Sequence, residues 1–150
     1  MLITHNHRIN KDVWIRAGTT KEAKYISVNS VVNVWDFPTE VAQSLLPFHA
    51  LTGSNSTSFL AGHSKKTTLK IFLEIFNLLS NLGRDSLTKD TLQDCENFIC
   101  KIYNAGDVAT TNEARTFLFK RGLKAELLPP TSDAVEHHIM RSHHQSMIWL

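Results

Sequence analysis

Apolar residues recur along this chain at two different periods. Near the amino end the period is short. Val13-Trp-Ile-Arg-Ala17 runs into Gly18, Thr19-Thr-Lys-Glu22 has the composition of a turn, and Lys24-Tyr-Ile-Ser-Val28 resumes the extended pattern. That layout predicts a β-hairpin. Two strands alone are marginal in water, so the hairpin needs either a larger sheet or helices to pack against. Beyond it the spacing turns helical. Asn29 or Ser30 can cap a short helix through Trp35, ended before Pro38. Thr39 can cap a second segment with Val41, Ala42, Leu45 and Leu46 at helical spacing, which Pro47 is expected to stop. From about Lys66 to Leu82, Leu69, Phe72, Leu73, Phe76 and Leu79 form one stripe and Ile71, Ile75 and Leu78 a second. A helix apolar on two faces is expected at the centre of a core, with Gly83 as its C-cap.

Three more helices follow. Leu87-Thr88 supplies an apolar residue and a cap. Leu92, Cys95, Ile99, Ile102 and Tyr103 then form a stripe, closed by Asn104-Ala-Gly106. Thr110-Thr-Asn-Glu113 is a capping box, with Ala114, Phe117 and Leu118 predicted on the buried face. Lys120-Arg-Gly122 ends that helix with cations and a glycine, as the helix dipole favours. Pro129-Pro130 is a rigid spacer. Thr131 or Ser132 opens the last helix, which carries Asp133 and Glu136 early and runs to Ile148-Trp149. The fold class is therefore mainly α with a short N-terminal β-hairpin.

Composition narrows the picture only a little. At 150 residues and 42% hydrophobic the chain can bury a real core as one domain. A net charge of +2 does not by itself demand nucleic acid, so such a partner must be argued from local clustering. Cys95 and Cys100 sit five apart on different helical faces, so a disulfide between them is not expected and a reducing compartment fits. Met1-Leu-Ile-Thr-His-Asn-His7 is too short and polar for a signal peptide. The most apolar run, Leu69 to Leu79, is broken by Lys70, Glu74 and Asn77, so no membrane partner is expected.

Candidate chemistry concentrates in Leu46 to Lys70. This stretch holds Gly53 and Gly62, a run of hydroxyl residues and the pair Lys65-Lys66, and no acidic residue lies between Glu40 and Glu74. A glycine turn feeding a helix presents free backbone N–H groups where the dipole favours an anion. The candidate phosphate grip consists of Gly53, Ser56, Thr57, Gly62, His63, Ser64, Lys65, Lys66 and Thr67. The plainer alternative is a connector between two core helices. His49 and His63 flank the turn and read better as structural histidines than as phosphate ligands. His137, His138, His143 and His144 lack the i, i+4 spacing of a helical zinc pair. His137 and His144 lie about 10 Å apart along the axis, so polar, partly exposed imidazoles are expected rather than a metal site.

Phe48-His-Ala-Leu-Thr-Gly-Ser-Asn-Ser-Thr-Ser58 with Gly62-His-Ser-Lys-Lys-Thr67 resembles a group of repetitive, transposon-associated PIN-like proteins of invertebrate genomes. There the stretch reads roughly F-H-A-x-T-G-C-D-T-T-S, then G-x-G-K-K. Trp14-Ile-Arg-Ala-Gly-Thr19 and Lys24-Tyr-Ile-Ser-Val28 resemble its W-I-x-x-G-T and Y-I-P-V elements. Asn112-Glu-Ala-Arg115, Leu128-Pro-Pro-Thr131 and Arg141-Ser-His-His-Gln145 resemble N-x-x-R, P-P-T and R-x-x-Y-Q. The group is distantly similar to flap-endonuclease and XPG-type nucleases. The resemblance therefore implies the C-terminal helical half of a PIN-like, flap-endonuclease-like α/β domain. It divides 1–150, as a single partial domain, into a sheet-edge segment over 1–35, a helix-turn-helix grip over 39–82 and C-terminal helices over 87–150. Two departures bear on activity. Ser54-Asn55 stands where the group has C-D, and a neutral amide is a weaker ligand for a hard cation. The acids upstream are Asp12, Glu22, Asp36 and Glu40, and none forms the paired carboxylates that two metal ions about 4 Å apart require. The expectation is a truncated, catalytically inactive, nuclease-derived chain without cofactor. It would bind duplex or flap DNA without sequence preference, in an intracellular, nuclear setting. The first alternative is a helical interaction module or a degenerate reading frame without selected function. The other is a magnesium-dependent nuclease completed by another chain.

Overall fold

The structure, a computed structural model, describes residues 12–34 and 38–149, with side chains for all of these but 32–34. The expectations for Met1–His7, for Trp35 as a helix end and for Asp36 lie outside the described residues. The predicted hairpin is present. β1 (Trp14–Gly18) pairs antiparallel with β2 (Ala23–Ser27), in a register that sets Trp14 opposite Ser27 and Arg16 opposite Tyr25. Gly18 makes the turn possible at φ 89°; a Cβ there would lie 2.2 Å from the Glu22 carbonyl oxygen. The hairpin leads straight into α1 (Val28–Val34). The Val28 amide donates to the Val13 carbonyl at 2.9 Å, and the Ser30 amide to Ser27 Oγ at 3.2 Å. Ser27 thus does the capping expected of Asn29 or Ser30.

Five further helices make the body: α2 (Thr39–Leu51), α3 (Lys65–Ile75), α4 (Lys89–Ile102), α5 (Thr111–Lys120) and α6 (Ser132–Trp149). Among the described residues no helix is long and apolar enough to cross a membrane. α2 differs from expectation at both ends. Pro38 occupies its N-cap with no side-chain bond, and Thr39 is already helical. The helix also continues through Pro47 to Leu51. A proline inside a helix removes one backbone bond and costs about 3 kcal/mol in isolation. Here Leu46, Phe48, Ala50 and Leu51 are all buried around it, and packing outweighs the local penalty.

α3 is shorter than its apolar pattern. It ends at Ile75, and Phe76–Leu79 tightens into a 3₁₀ turn. Bonds from Ser80 N to Asn77 O and from Leu82 N to Leu79 O, both 3.2 Å, keep the three-residue period. That period brings Phe76, Leu79 and Leu82 to one face and buries the two leucines completely. Leu73 faces solvent and Ile71, Ile75 and Leu78 are only half-buried, so α3 lies at the margin. The centre belongs to α2, α4 and α6. Phe48 meets Phe72 with ring centroids 4.6 Å apart and Phe98 edge-on at 6.4 Å. Leu51, Leu79, Leu82, Cys95, Ile99, Val135 and Ile139 complete the cluster.

The caps follow the sequence closely. Thr88 Oγ1 accepts from the Thr91 amide at 3.1 Å and starts α4. Thr110 Oγ1 accepts from the Glu113 amide at 3.2 Å and starts α5. The returning Glu113 carboxylate takes the Ala109 amide at 2.9 Å, one residue upstream of the usual partner. On α5, Thr111, Ala114 and Leu118 are buried, whereas Phe117 is partly exposed and carries the Arg121 guanidinium 5.4 Å over its ring. The buried stripe is thus set by Thr111 rather than by Phe117. Cys95 and Cys100 are free, buried thiols on α4. Burial pushes both upward, Cys100 to about 11.

The four histidines of α6 divide. His137 and His144 are exposed, as expected, but His138 and His143 are buried. They belong to a stripe of Val135, His138, Ile139, Ser142, His143 and Ser146 at helical spacing. Every polar member has a partner. His143 Nδ1 accepts the Gly83 amide at 3.0 Å, Ser142 Oγ donates to the His138 carbonyl at 2.8 Å, and Ser146 Oγ to the Ser142 carbonyl at 2.8 Å. This face is polar in sequence and buried in fact, because backbone groups are available to pair with it.

Candidate functional site: the turn between α2 and α3

The final carbonyls of an α-helix have no partner within the helix. At the end of α2 each of the last four has found one. Thr52 Oγ1 donates to the Phe48 carbonyl at 2.7 Å and Lys65 Nζ to the His49 carbonyl at 2.9 Å. Thr57 Oγ1 donates to the Ala50 carbonyl at 2.6 Å, and His138 Nε2 to the Leu51 carbonyl at 2.8 Å. Lys65 also reaches Thr52 Oγ1 at 3.2 Å. Its ammonium therefore sits at the negative end of the α2 dipole, where a cation is stabilising. Burial lowers the Lys65 amine to about 8.

Eight of the nine predicted grip residues accordingly separate into two sets, and Ser56 stands between them. Gly53 and Thr57 turn inward, and Lys65, itself exposed, aims its ammonium at the end of α2. Gly53 is buried at φ 103°, and Thr57 also receives the Ser54 amide at 3.0 Å. Ser56 is exposed but joined to Ser54 Oγ at 3.1 Å. The outer set is Gly62, His63, Ser64, Lys66 and Thr67. Ser64 caps α3 by accepting the Thr67 amide at 3.3 Å, and Ser64 and Thr67 bond each other's oxygens. Lys66 is exposed and has no ion-pair partner among the described residues. Gly62 turns the chain at φ 77° on the surface. Asn55 is exposed.

His49 and His63 are both half-buried packing groups. His49 stacks on Trp149 at 5.6 Å between centroids, and His63 meets the edge of Tyr103 at 4.4 Å. Burial lowers both imidazoles, and the Lys65 charge lowers His49 further. His138 was not a candidate for this site, yet it closes the α2 cap from a position 87 residues away. The sequence signal available was its phase: it lies on the stripe of Val135, Ile139 and Ser142.

One consequence is a stability that depends on pH. Burial holds the His138 imidazole below its ordinary value, with a smaller opposing effect from the Leu51 bond. The folded chain therefore favours neutral His138. That contribution is complete above the unfolded value of about 6.5 and is lost as pH falls through the folded value. Urea titrations should show stability falling as pH drops from 7 to 5, at a slope of at most about 1.4 kcal/mol per pH unit for this histidine. His138→Gln, which can still donate to Leu51, should flatten the profile. An unchanged profile in that variant would assign the acid sensitivity elsewhere.

Among the described residues no group of three His, Cys, Asp or Glu side chains is placed to hold a metal ion. No protein family, curated protein or solved structure matches this chain.

Proposed function

We propose that the chain is a non-catalytic binding module that holds a nucleic-acid phosphate backbone at the amino end of α3. One observation carries the reading: apart from half-buried His63 the outer set of the turn is exposed, and it presents the Lys66 cation in a stretch without carboxylates from 41 to 73. The Lys66 ammonium and the first two amides of α3, of Lys65 and Lys66, can each meet a phosphate oxygen, beside the Ser64–Thr67 cap. Nothing in this set offers base-edge recognition, so binding is independent of sequence and falls with salt. The target is duplex or flap DNA, and the resemblance to PIN-like nucleases supplies the origin, with Asn55 in place of the family's acid.

A second reading is favoured by the complete capping of α2. In it the turn is a connector and the chain a helical interaction module. A salt series with labelled duplex and flap DNA separates the two. Lys66→Glu is the informative substitution, because Lys65→Glu would set a carboxylate against the oxygens that Lys65 now holds and would unfold the cap. If phosphate is held here, the wild type binds at low salt and Lys66→Glu weakens binding on both substrates. The salt slope should also fall by about one. The melting curve should stay unchanged, as for most surface substitutions. No binding at low salt, or equal binding by Lys66→Glu, rejects the phosphate site.

A further inference from the structure

The hairpin carries a second surface, independent of the turn. Strand alternation and the register of β1 and β2 place Trp14, Arg16, Tyr25 and Ser27 on one face. Ile15, Ala17, Lys24 and Ile26 take the other. Trp14 is 60% exposed and Tyr25 66%, whereas Ile15 and Ile26 on the opposite face are less so, at 37% and 41%. Two large rings are thus left open side by side on one face. Arg16 lies directly across from Tyr25 and two residues along from Trp14. It is exposed and has no ion-pair partner among the described residues. Trp14 and Tyr25 are diagonal neighbours, about 7–8 Å apart. Asp12 continues this face beyond Trp14, but its carboxylate accepts from Asn29 Nδ2 at 2.8 Å, so Arg16 is the charge that lies between the two rings.

We infer that this face is a stacking platform for single-stranded nucleic acid. Its two rings would take the faces of successive unpaired bases, and Arg16 would take the phosphate between them. The chemistry argues for this occupant over an apolar protein surface. The rings flank a guanidinium, and a polyanion with exposed π faces is the ligand that satisfies both. Duplex DNA keeps its base faces stacked inside, so the platform discriminates in favour of single strands. The inference does not need the α3 site.

The test uses the full chain and three probes of equal length: a labelled oligothymidylate, an abasic strand with the same charge, and a duplex. A stacking platform binds oligothymidylate more tightly than the abasic strand. Trp14→Ala and Tyr25→Ala each weaken oligothymidylate binding about tenfold. Neither substitution changes abasic binding, and Trp14→Phe restores most of the loss. Lys66→Glu lowers duplex binding and leaves the thymidylate-to-abasic ratio intact, so the two sites can fail separately. The hairpin lies outside the main core, and an unchanged melting curve for each variant keeps the comparison valid. Equal binding of the thymidylate and abasic strands overturns the inference. So does unchanged binding by the alanine variants. Loss of self-association in those variants, with no base-dependent binding in the wild type, would make the face an interface between copies.

Discussion

Glu96→Ala should lower the stability of the chain by about 2–4 kcal/mol, read as a shifted urea midpoint with an unchanged slope. One oxygen of this carboxylate, Oε1, gathers three donors. The Thr111 amide and the Thr111 hydroxyl each lie at 2.8 Å, and the Ser132 hydroxyl at 2.7 Å. Thr111 opens α5 and Ser132 opens α6, so a side chain from the middle of α4 fastens the first turns of two other helices. Both helix starts carry partial positive charge, which a carboxylate complements. The joint is reinforced locally by Asn112 Oδ1, which accepts the Ser132 amide at 3.1 Å. Truncation leaves the amide of the fully buried Thr111 unpartnered and its hydroxyl with only a 3.3 Å bond to Ser132 Oγ. That orphaning, more than the lost attraction, sets the magnitude. Glu96→Gln keeps an acceptor of the same shape without the charge and should recover roughly half the loss. If alanine costs under about 1 kcal/mol, water replaces the carboxylate and the three-helix joint is not a stabilising one.

The second large effect is expected at Gly53. A Cβ there would lie 2.7 Å from Phe59 Cα and 2.8 Å from Phe59 Cβ, at a backbone φ of 103°. The neighbour includes backbone, so relief requires the whole turn to move. A left-handed backbone costs an L-residue roughly 1–2 kcal/mol, and forced repacking about 1–3 more. Gly53→Ala should therefore destabilise by about 2–5 kcal/mol in a urea or thermal titration. Moving the turn also displaces Thr52 and Thr57 from the carbonyls they cap. Gly62→Ala is the internal control. It has the same sign of φ, but its nearest contact is Leu127 Cδ2 at 3.5 Å, so it should cost only about 1 kcal/mol. Similar losses at both positions would show that the backbone angle alone matters and the close approach to Phe59 does not.

What the sequence made legible was local. The hairpin, the threonine caps at Thr88 and Thr110 and the opening of α6 near Ser132 depend on neighbours three or four residues away, and all appear where their patterns put them. The candidate site was legible as a place but not as an arrangement. Lys65 and Lys66 are adjacent in sequence, yet helical geometry sends one ammonium back to α2 and leaves the other in solvent. Nothing in a glycine-hydroxyl-lysine pattern says which carbonyls are near. The same limit hid Glu96, whose partners lie 15 and 36 residues away. It also hid the buried face of α6, where histidine and serine look like solvent residues until a backbone is packed against them. Pro47 and the end of α3 at Ile75 were lost to a different cause. There the packing of Phe48, Leu51, Leu79 and Leu82 overrules what each residue prefers in isolation.

The two thiols of α4 give the chain a clock. Cys95 and Cys100 are sealed beneath the helical body, 0% and 1% exposed, and their upward-shifted ionisation leaves almost no thiolate at neutral pH. An alkylating or oxidising reagent can reach either sulfur only while α4 is detached. Each modified cysteine therefore records an opening of the core, and a chain that keeps both thiols through its lifetime has not come apart in the presence of the reagent.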